Sequence, residues 1–247
     1  MRTAAKVVLA CLALILAFLY GVAMMQYQLF PFQVYGWVKQ IGRGETPGSD
    51  SRLIDYPRWK DKTSSFRAFH VPADVVMIGD SITDEARWDE MFPGVRIANR
   101  GISSDTTYGL LQRLDGILLT KAKTAFIMVG VNDVLVGRSA DAAFADYKKF
   151  VHLLIDNGVV PVIQSTIYTS PKQAGSKKYN AKIRELNQRL AAFAAESKIA
   201  YVDLNAQLSD ADGLKQSVTN DGIHLNGEGY SLWRKAIDEK MRGSEVR

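Results

Sequence analysis

The chain has 247 residues, 47% of them hydrophobic, and a formal net charge of +5. That length is enough for one ordinary domain with a full core and a further segment. The basic excess is scattered, with no Lys/Arg stripe interleaved with aromatics, which argues against nucleic acid as a partner. The single cysteine, Cys11, excludes a disulfide framework and a cysteine-based metal site.

Taken in order, the chain begins with an uncharged apolar run from Val7 to Met25, preceded by Arg2 and Lys6. As a helix this run spans about 28 Å, close to the hydrocarbon thickness of a bilayer. Residues 1–25 therefore read as a membrane anchor. A cleaved signal peptide is the rival, because Gly21-Val22-Ala23 offers small residues at a cleavage spacing, although the run is long for such a peptide. Val8-Leu9-Ala10-Cys11 has the look of a lipoprotein box, but it comes too early in the chain. Tyr27, Phe30, Phe32, Tyr35 and Trp37 follow as an interfacial belt would, which favours retention. One N-terminal anchor before a large domain most simply leaves that domain periplasmic or extracellular. Lys39 and Arg43 on the far flank make the charge asymmetry thin. Residues 26–70 read as a juxtamembrane segment and linker. Gly42 to Ser51 is rich in Gly, Ser, Thr and Pro. Leu53 to Val71 mixes aromatics with charges at no clean period, and reads as an irregular wrap leading into a domain at 71–247.

Five apolar stretches in that domain read as strands: Val75–Ile78, Arg96–Asn99, Ala125–Val129, Val159–Gln164 and Ile199–Leu204. Helical periodicity fills the intervals at Thr106–Leu119, Ala142–Ile155, Lys177–Ser197 and Glu228–Met241. Alternating strands and helices imply a parallel sheet covered on both faces. Right-handed crossovers then give a three-layer α/β/α sandwich with strand order 2-1-3-4-5.

Chemistry in such a sheet gathers beyond the carboxyl ends of the strands. There the sequence places Gly79-Asp80-Ser81-Ile82-Thr83 after strand 1, Gly101 after strand 2, Gly130-Val131-Asn132-Asp133 after strand 3, and Asp221-Gly222-Ile223-His224 before the last helix. Ser81 is a candidate nucleophile or a helix cap. Asp221 lies three residues before His224, near enough to hold one ring nitrogen while the other takes the Ser81 proton, although a histidine there also serves to brace a helix start. Backbone N–H groups of Ser81 and Gly101 and the Asn132 amide are candidate oxyanion donors; Gly101 and Asn132 also suit plain turn positions. Asp133 reads as a brace for the Asn132 turn. No metal-ligand cluster and no Gly-rich phosphate loop is present in the sequence, so neither metal nor cofactor is expected.

In this order, over roughly Asp74 to Lys240, the four blocks resemble the SGNH (GDSL-type) esterase/lipase family. The resemblance implies Ser81, Asp221 and His224 as catalytic triad and Ser81, Gly101 and Asn132 as oxyanion hole. Asn99-Arg100-Gly101-Ile102, Asp105-Thr106-Thr107 and Arg113-Leu114 look most like the branch holding the catalytic subunits of intracellular platelet-activating-factor acetylhydrolase, a look shared by bacterial carbohydrate O-acetylesterases. Ser103-Ser104 departs from that branch, which usually has Gly before the Asp. The α/β-hydrolase elbow is absent, since position 83 is Thr. The resemblance and the expected export imply a serine esterase for short acyl groups, acetyl above all, on carbohydrate or cell-surface glycan. The alternatives are a lipid-directed acylhydrolase, an O-acetyltransferase and a non-catalytic glycan-binding scaffold.

Overall fold

The computed structural model describes residues 14–21 and 51–243. The chain divides into two compact units, Met1–Ser49 and Asp50–Arg247. In the first, residues 14–21 are helical. The rest of the apolar 7–25 run, the aromatics from Tyr27 to Trp37 and nearly all of the 42–51 linker lie outside the described residues. Among the described residues, no helix is long and apolar enough to cross a membrane.

The second unit is built on five parallel strands: β1 (Val75–Gly79), β2 (Ile97–Gly101), β3 (Thr124–Met128), β4 (Val160–Gln164) and β5 (Ala200–Val202). They are ordered β2-β1-β3-β4-β5, as the alternating pattern implies. Strand alternation sends side chains to two separate cores. Val76 and Ile78 of β1 join Ala125, Ile127 and Ile163 on one face, while Val75 and Met77 join Phe126, Met128 and Val162 on the other.

The larger helices are α1 (Pro57–Ala68), α2 (Thr107–Leu111), α3 (Leu114–Leu118), α4 (Ala140–Asp156), α5 (Ser176–Ser197) and α6 (Gly227–Arg242). Tyr147, Phe150 and Leu154 of α4, with Leu186 and Leu190 of α5, cover the first face. Trp233, Ile237 and Met241 of α6 cover the second. Each such side chain contributes about 1.5–3 kcal/mol by leaving water.

Two segments differ from the sequence reading. The stretch read as an irregular wrap contains α1, started by Pro57 at its first position. Its buried face is narrow, Trp59 and Thr63, so no apolar period marks it. The single helix expected over Thr106–Leu119 is broken between α2 and α3. Arg113 leaves the helical backbone at φ −133° and turns its side chain inward, 2% exposed, onto Asp105 and the end of β1.

Candidate active site

Ser81 is the first residue of a one-turn helix, Ser81–Asp84, set on the end of β1. Asp80 caps this turn, its Oδ1 accepting Ile82 N–H at 3.1 Å. A helix so short leaves the carbonyls of Ile82, Thr83 and Asp84 in search of a donor. Other elements supply them. The Tyr230 hydroxyl donates to Ile82 O at 2.8 Å, Trp88 Nε1 to Thr83 O at 3.0 Å and Asn99 Nδ2 to Asp84 O at 3.0 Å. Trp88 packs edge-on against Trp233 at 5.1 Å, and Trp233 Nε1 donates to Gln164. The nucleophile candidate therefore sits on a turn tied to β2, to α6 and to the segment after it.

Asp80 itself is fully buried, and its Oδ2 has no hydrogen-bond partner. Burial pushes this carboxyl up to about 7, helped by Asp105 and Asp133 and opposed by the Ile82 N–H and His224. An acid raised in the folded state binds its proton more tightly there than unfolded, so its contribution to stability falls as pH rises from about 4 to about 7. Asp80→Asn is expected to flatten the decline of thermal midpoint over that window. An unchanged slope in a pH series of melts would refute it.

His224 stands across the cleft from Ser81. Ser81 Oγ and His224 Nε2 are 2.9 Å apart, and His224 Nδ1 lies 2.6 Å from Asp221 Oδ2. The loop that carries them is held by its own side chains. Asp221 Oδ1 accepts the N–H groups of Ile223 at 2.9 Å and His224 at 2.8 Å. Gly222 adopts φ +90°, a backbone conformation that residues with a side chain rarely take. Thr219 pairs with Leu225 across the loop, and Asn226 caps α6 directly behind His224. Partial burial pushes the Asp221 carboxyl up, but the His224 ring and the two backbone N–H groups prevail and hold it at about 2. A hydroxyl hydrogen-bonded to an imidazole, itself backed by an ionised carboxylate, can yield its proton and attack a carbonyl carbon.

The oxyanion candidates divide. Ser81 N–H opens the one-turn helix and makes no hydrogen bond among the described residues. Asn132, at the start of Val131–Leu135 after β3, donates Nδ2 to Asp105 O at 2.9 Å and keeps its second amide hydrogen. Gly101 is placed differently from the sequence expectation. Its N–H donates to Asn99 Oδ1 at 2.9 Å, and a Cβ on it would lie 2.2 Å from Asp84 N. Gly101 is thus a packing glycine beneath the Ser81 turn. Three residues on, Ser104 is exposed and holds φ +65°, a left-handed conformation uncommon outside glycine. Asp133, buried, takes both Thr107 N–H and Thr107 Oγ1, and pairs with Arg138. It therefore braces α2 from behind Asn132.

The sequence reading passed over Ser104, Asp105, Arg113 and Trp59 as site residues. Arg113 had left a signal, a cation between Leu111 and Leu114 on an apolar face. Trp59 had left none. Among the described residues, no group of three or more His, Cys, Asp or Glu is placed to hold a metal ion.

A serine on the turn after β1, facing a histidine–aspartate pair before the last helix of a doubly wound sheet, defines the SGNH class of hydrolase folds. The chain belongs to the GDSL-like lipase/acylhydrolase family, whose model matches residues 77–232. An N-acylneuraminate cytidylyltransferase of Streptococcus agalactiae is 28% identical over 166 residues, covering 67% of this chain; the chain spans only 38% of that relative's length. The alpha1 subunit of platelet-activating factor acetylhydrolase IB from Bos taurus is 24% identical over 175 residues, covering 66% of this chain and 73% of the relative. Among solved structures, a GDSL-like lipase from Bacteroides thetaiotaomicron shares the fold with a TM-score of 0.66 at 24% identity, covering 75% of this chain and 97% of that one. An acetylxylan esterase from Geobacillus stearothermophilus does so with a TM-score of 0.59 at 19% identity, covering 68% and 94%.

Proposed function

We propose that the protein is a serine esterase that removes short acyl groups, acetyl above all, from a carbohydrate or cell-surface glycan. The hydrogen-bonded series Ser81 Oγ, His224 Nε2, His224 Nδ1, Asp221 Oδ2, at 2.9 and 2.6 Å, carries the reading. Ser81 Oγ attacks the ester carbonyl while Nε2 takes its proton, and Asp221 stabilises the imidazolium that forms. The oxyanion is met by Ser81 N–H, by the free Asn132 amide hydrogen and, in place of Gly101, by the N–H of Ser104. His224 returns the proton to the departing alcohol. It then draws a proton from water, which attacks the acyl-enzyme and frees the acid.

Two observations favour a short acyl group. One relative in sequence, the acetylhydrolase subunit, and one neighbour in fold, the acetylxylan esterase, are named for acetyl esters. The loop after β4 is pinned by amide brackets: Asn187 pairs with both backbone groups of Thr166, and Asn180 does the same for Thr169. The same proposal keeps the N-terminal run as a membrane anchor with the hydrolase unit outside the cytoplasm. Its support is the uncharged apolar sequence from Val7 to Met25 and the helix at 14–21.

A series of p-nitrophenyl esters tests the acyl preference. Acetyl is expected to exceed decanoyl in kcat/KM by about tenfold or more, since a long chain laid against an amide-bracketed polar loop gains little from burial. A preference for long chains would sink the acetyl reading and favour a lipid substrate. A reporter fused after Arg247 that works only in the cytoplasm would overturn the proposed topology.

A further inference from the structure

Helix α1 precedes the stretch matched by the family model, yet its side chains reach the floor of the site. Trp59, 8% exposed, donates Nε1–H to Asp105 Oδ1 at 2.9 Å. The other oxygen of Asp105 takes Arg113 Nε at 2.7 Å, and Arg113 passes Nη2 to Gly79 O at 3.1 Å, two residues before Ser81. Asp105 is 1% exposed, so this pair is shielded from water. Its backbone carbonyl is the group that orients the Asn132 amide. It also directly follows Ser104, the residue at φ +65°. Gly109 of α2 lies against the Trp59–Asp105 bond, where a Cβ would fall 1.9 Å from Asp105 Oδ1 and 3.4 Å from Trp59 Nε1. The space at that point is thus shaped around this one hydrogen bond.

We propose that Trp59 is a positioning residue for the oxyanion donors, acting through Asp105 and held in register by Arg113. A serine at positive φ relaxes towards ordinary backbone unless its neighbours hold it. Asp105 is the neighbour that does so. Its side chain is fixed on one side by α1 and on the other by the end of β1, and its carbonyl fixes Asn132. Losing the indole N–H leaves that carboxylate oxygen with the Thr106 N–H alone, at 3.0 Å, and removes its tie to α1. The Asp105 carbonyl then shifts, and with it both the Asn132 amide and the Ser104 N–H. Donors misplaced by a fraction of an ångström bind the ester as before but meet the oxyanion less well. The effect therefore falls on kcat and spares KM. This inference rests on the esterase reading of Ser81.

The experiment compares Trp59→Phe with wild type on p-nitrophenyl acetate and with a fluorophosphonate that labels Ser81. Phenylalanine keeps the ring in the core and removes only the donor. The expected result is a kcat lower by about tenfold with KM within about twofold, consistent with a weakened oxyanion site. Labelling reaches the same final extent as wild type but at a rate reduced in step with kcat. Arg67→Ala serves as the control, since it loosens the same helix at its exposed pair with Asp115, and it is expected to leave kcat unchanged. The proposal fails if Trp59→Phe keeps the wild-type kcat. It fails equally if labelling loses extent at an unchanged rate, or if Arg67→Ala lowers kcat as much. A wild type inert towards every ester would overturn the esterase reading as well, which separates the two failures.

Discussion

Ser81→Ala is expected to lower kcat on p-nitrophenyl acetate by about 10⁴-fold or more, with the protein fully folded. The size follows from geometry. Ser81 Oγ is the atom 2.9 Å from His224 Nε2, and covalent catalysis through it has no substitute once the hydroxyl is gone. Folding is expected to survive because the turn that carries Ser81 is held through its backbone, by Asp80, Tyr230, Trp88 and Asn99, and not through the hydroxyl. The measurement is steady-state hydrolysis beside a thermal melt. Equal turnover by wild type and variant would remove the nucleophile from the mechanism.

Asp221→Asn is expected to cost about 10³-fold in kcat. The amide that replaces Oδ2 donates to Nδ1 where the carboxylate accepted, so the ring proton moves to Nε2. An imidazole protonated on Nε2 cannot take the proton of Ser81. The loss is put below that expected for Ser81→Ala because the Asp221 side chain is 55% exposed, and water can stand in for part of its charge. With its carboxyl at about 2, Asp221 stays ionised through the whole working range of pH. The stabilising effect of the Asp221–His224 contact is intact above about pH 4, and its Asp221 part is lost as pH falls through about 2. A variant that kept more than a tenth of wild-type kcat would show that the carboxylate has no part in orienting the ring.

The sheet was legible because each strand is a short apolar run ended by Gly or a polar turn, and because helices of clear period separate them. The meeting of Ser81 with His224 and Asp221 was legible because parallel strands bring their carboxyl ends to one edge, whatever lies between. What escaped depends on single tertiary bonds. Gly101 stands at the end of β2 as expected, but whether its N–H is free depends on the rotamer of Asn99, which no spacing encodes. The break at Arg113 and the helix at 57–68 share a cause. Each is set by a buried polar contact to Asp105, and hydrophobic periodicity is blind to polar contacts.

The one-turn helix under Ser81 has a consequence for reactivity with simple electrophiles. Its Ile82, Thr83 and Asp84 carbonyls are each held by a side chain from elsewhere. The fold itself therefore holds the turn that carries the serine, which leaves little of its freedom to be lost on binding. Recognition of the alcohol portion of an ester is left to other surfaces, free to diverge without disturbing the chemistry. A small activated ester with no recognition handle is accordingly a fair reporter of the intact reaction centre. Differences between such a reporter and a natural ester measure the loops alone.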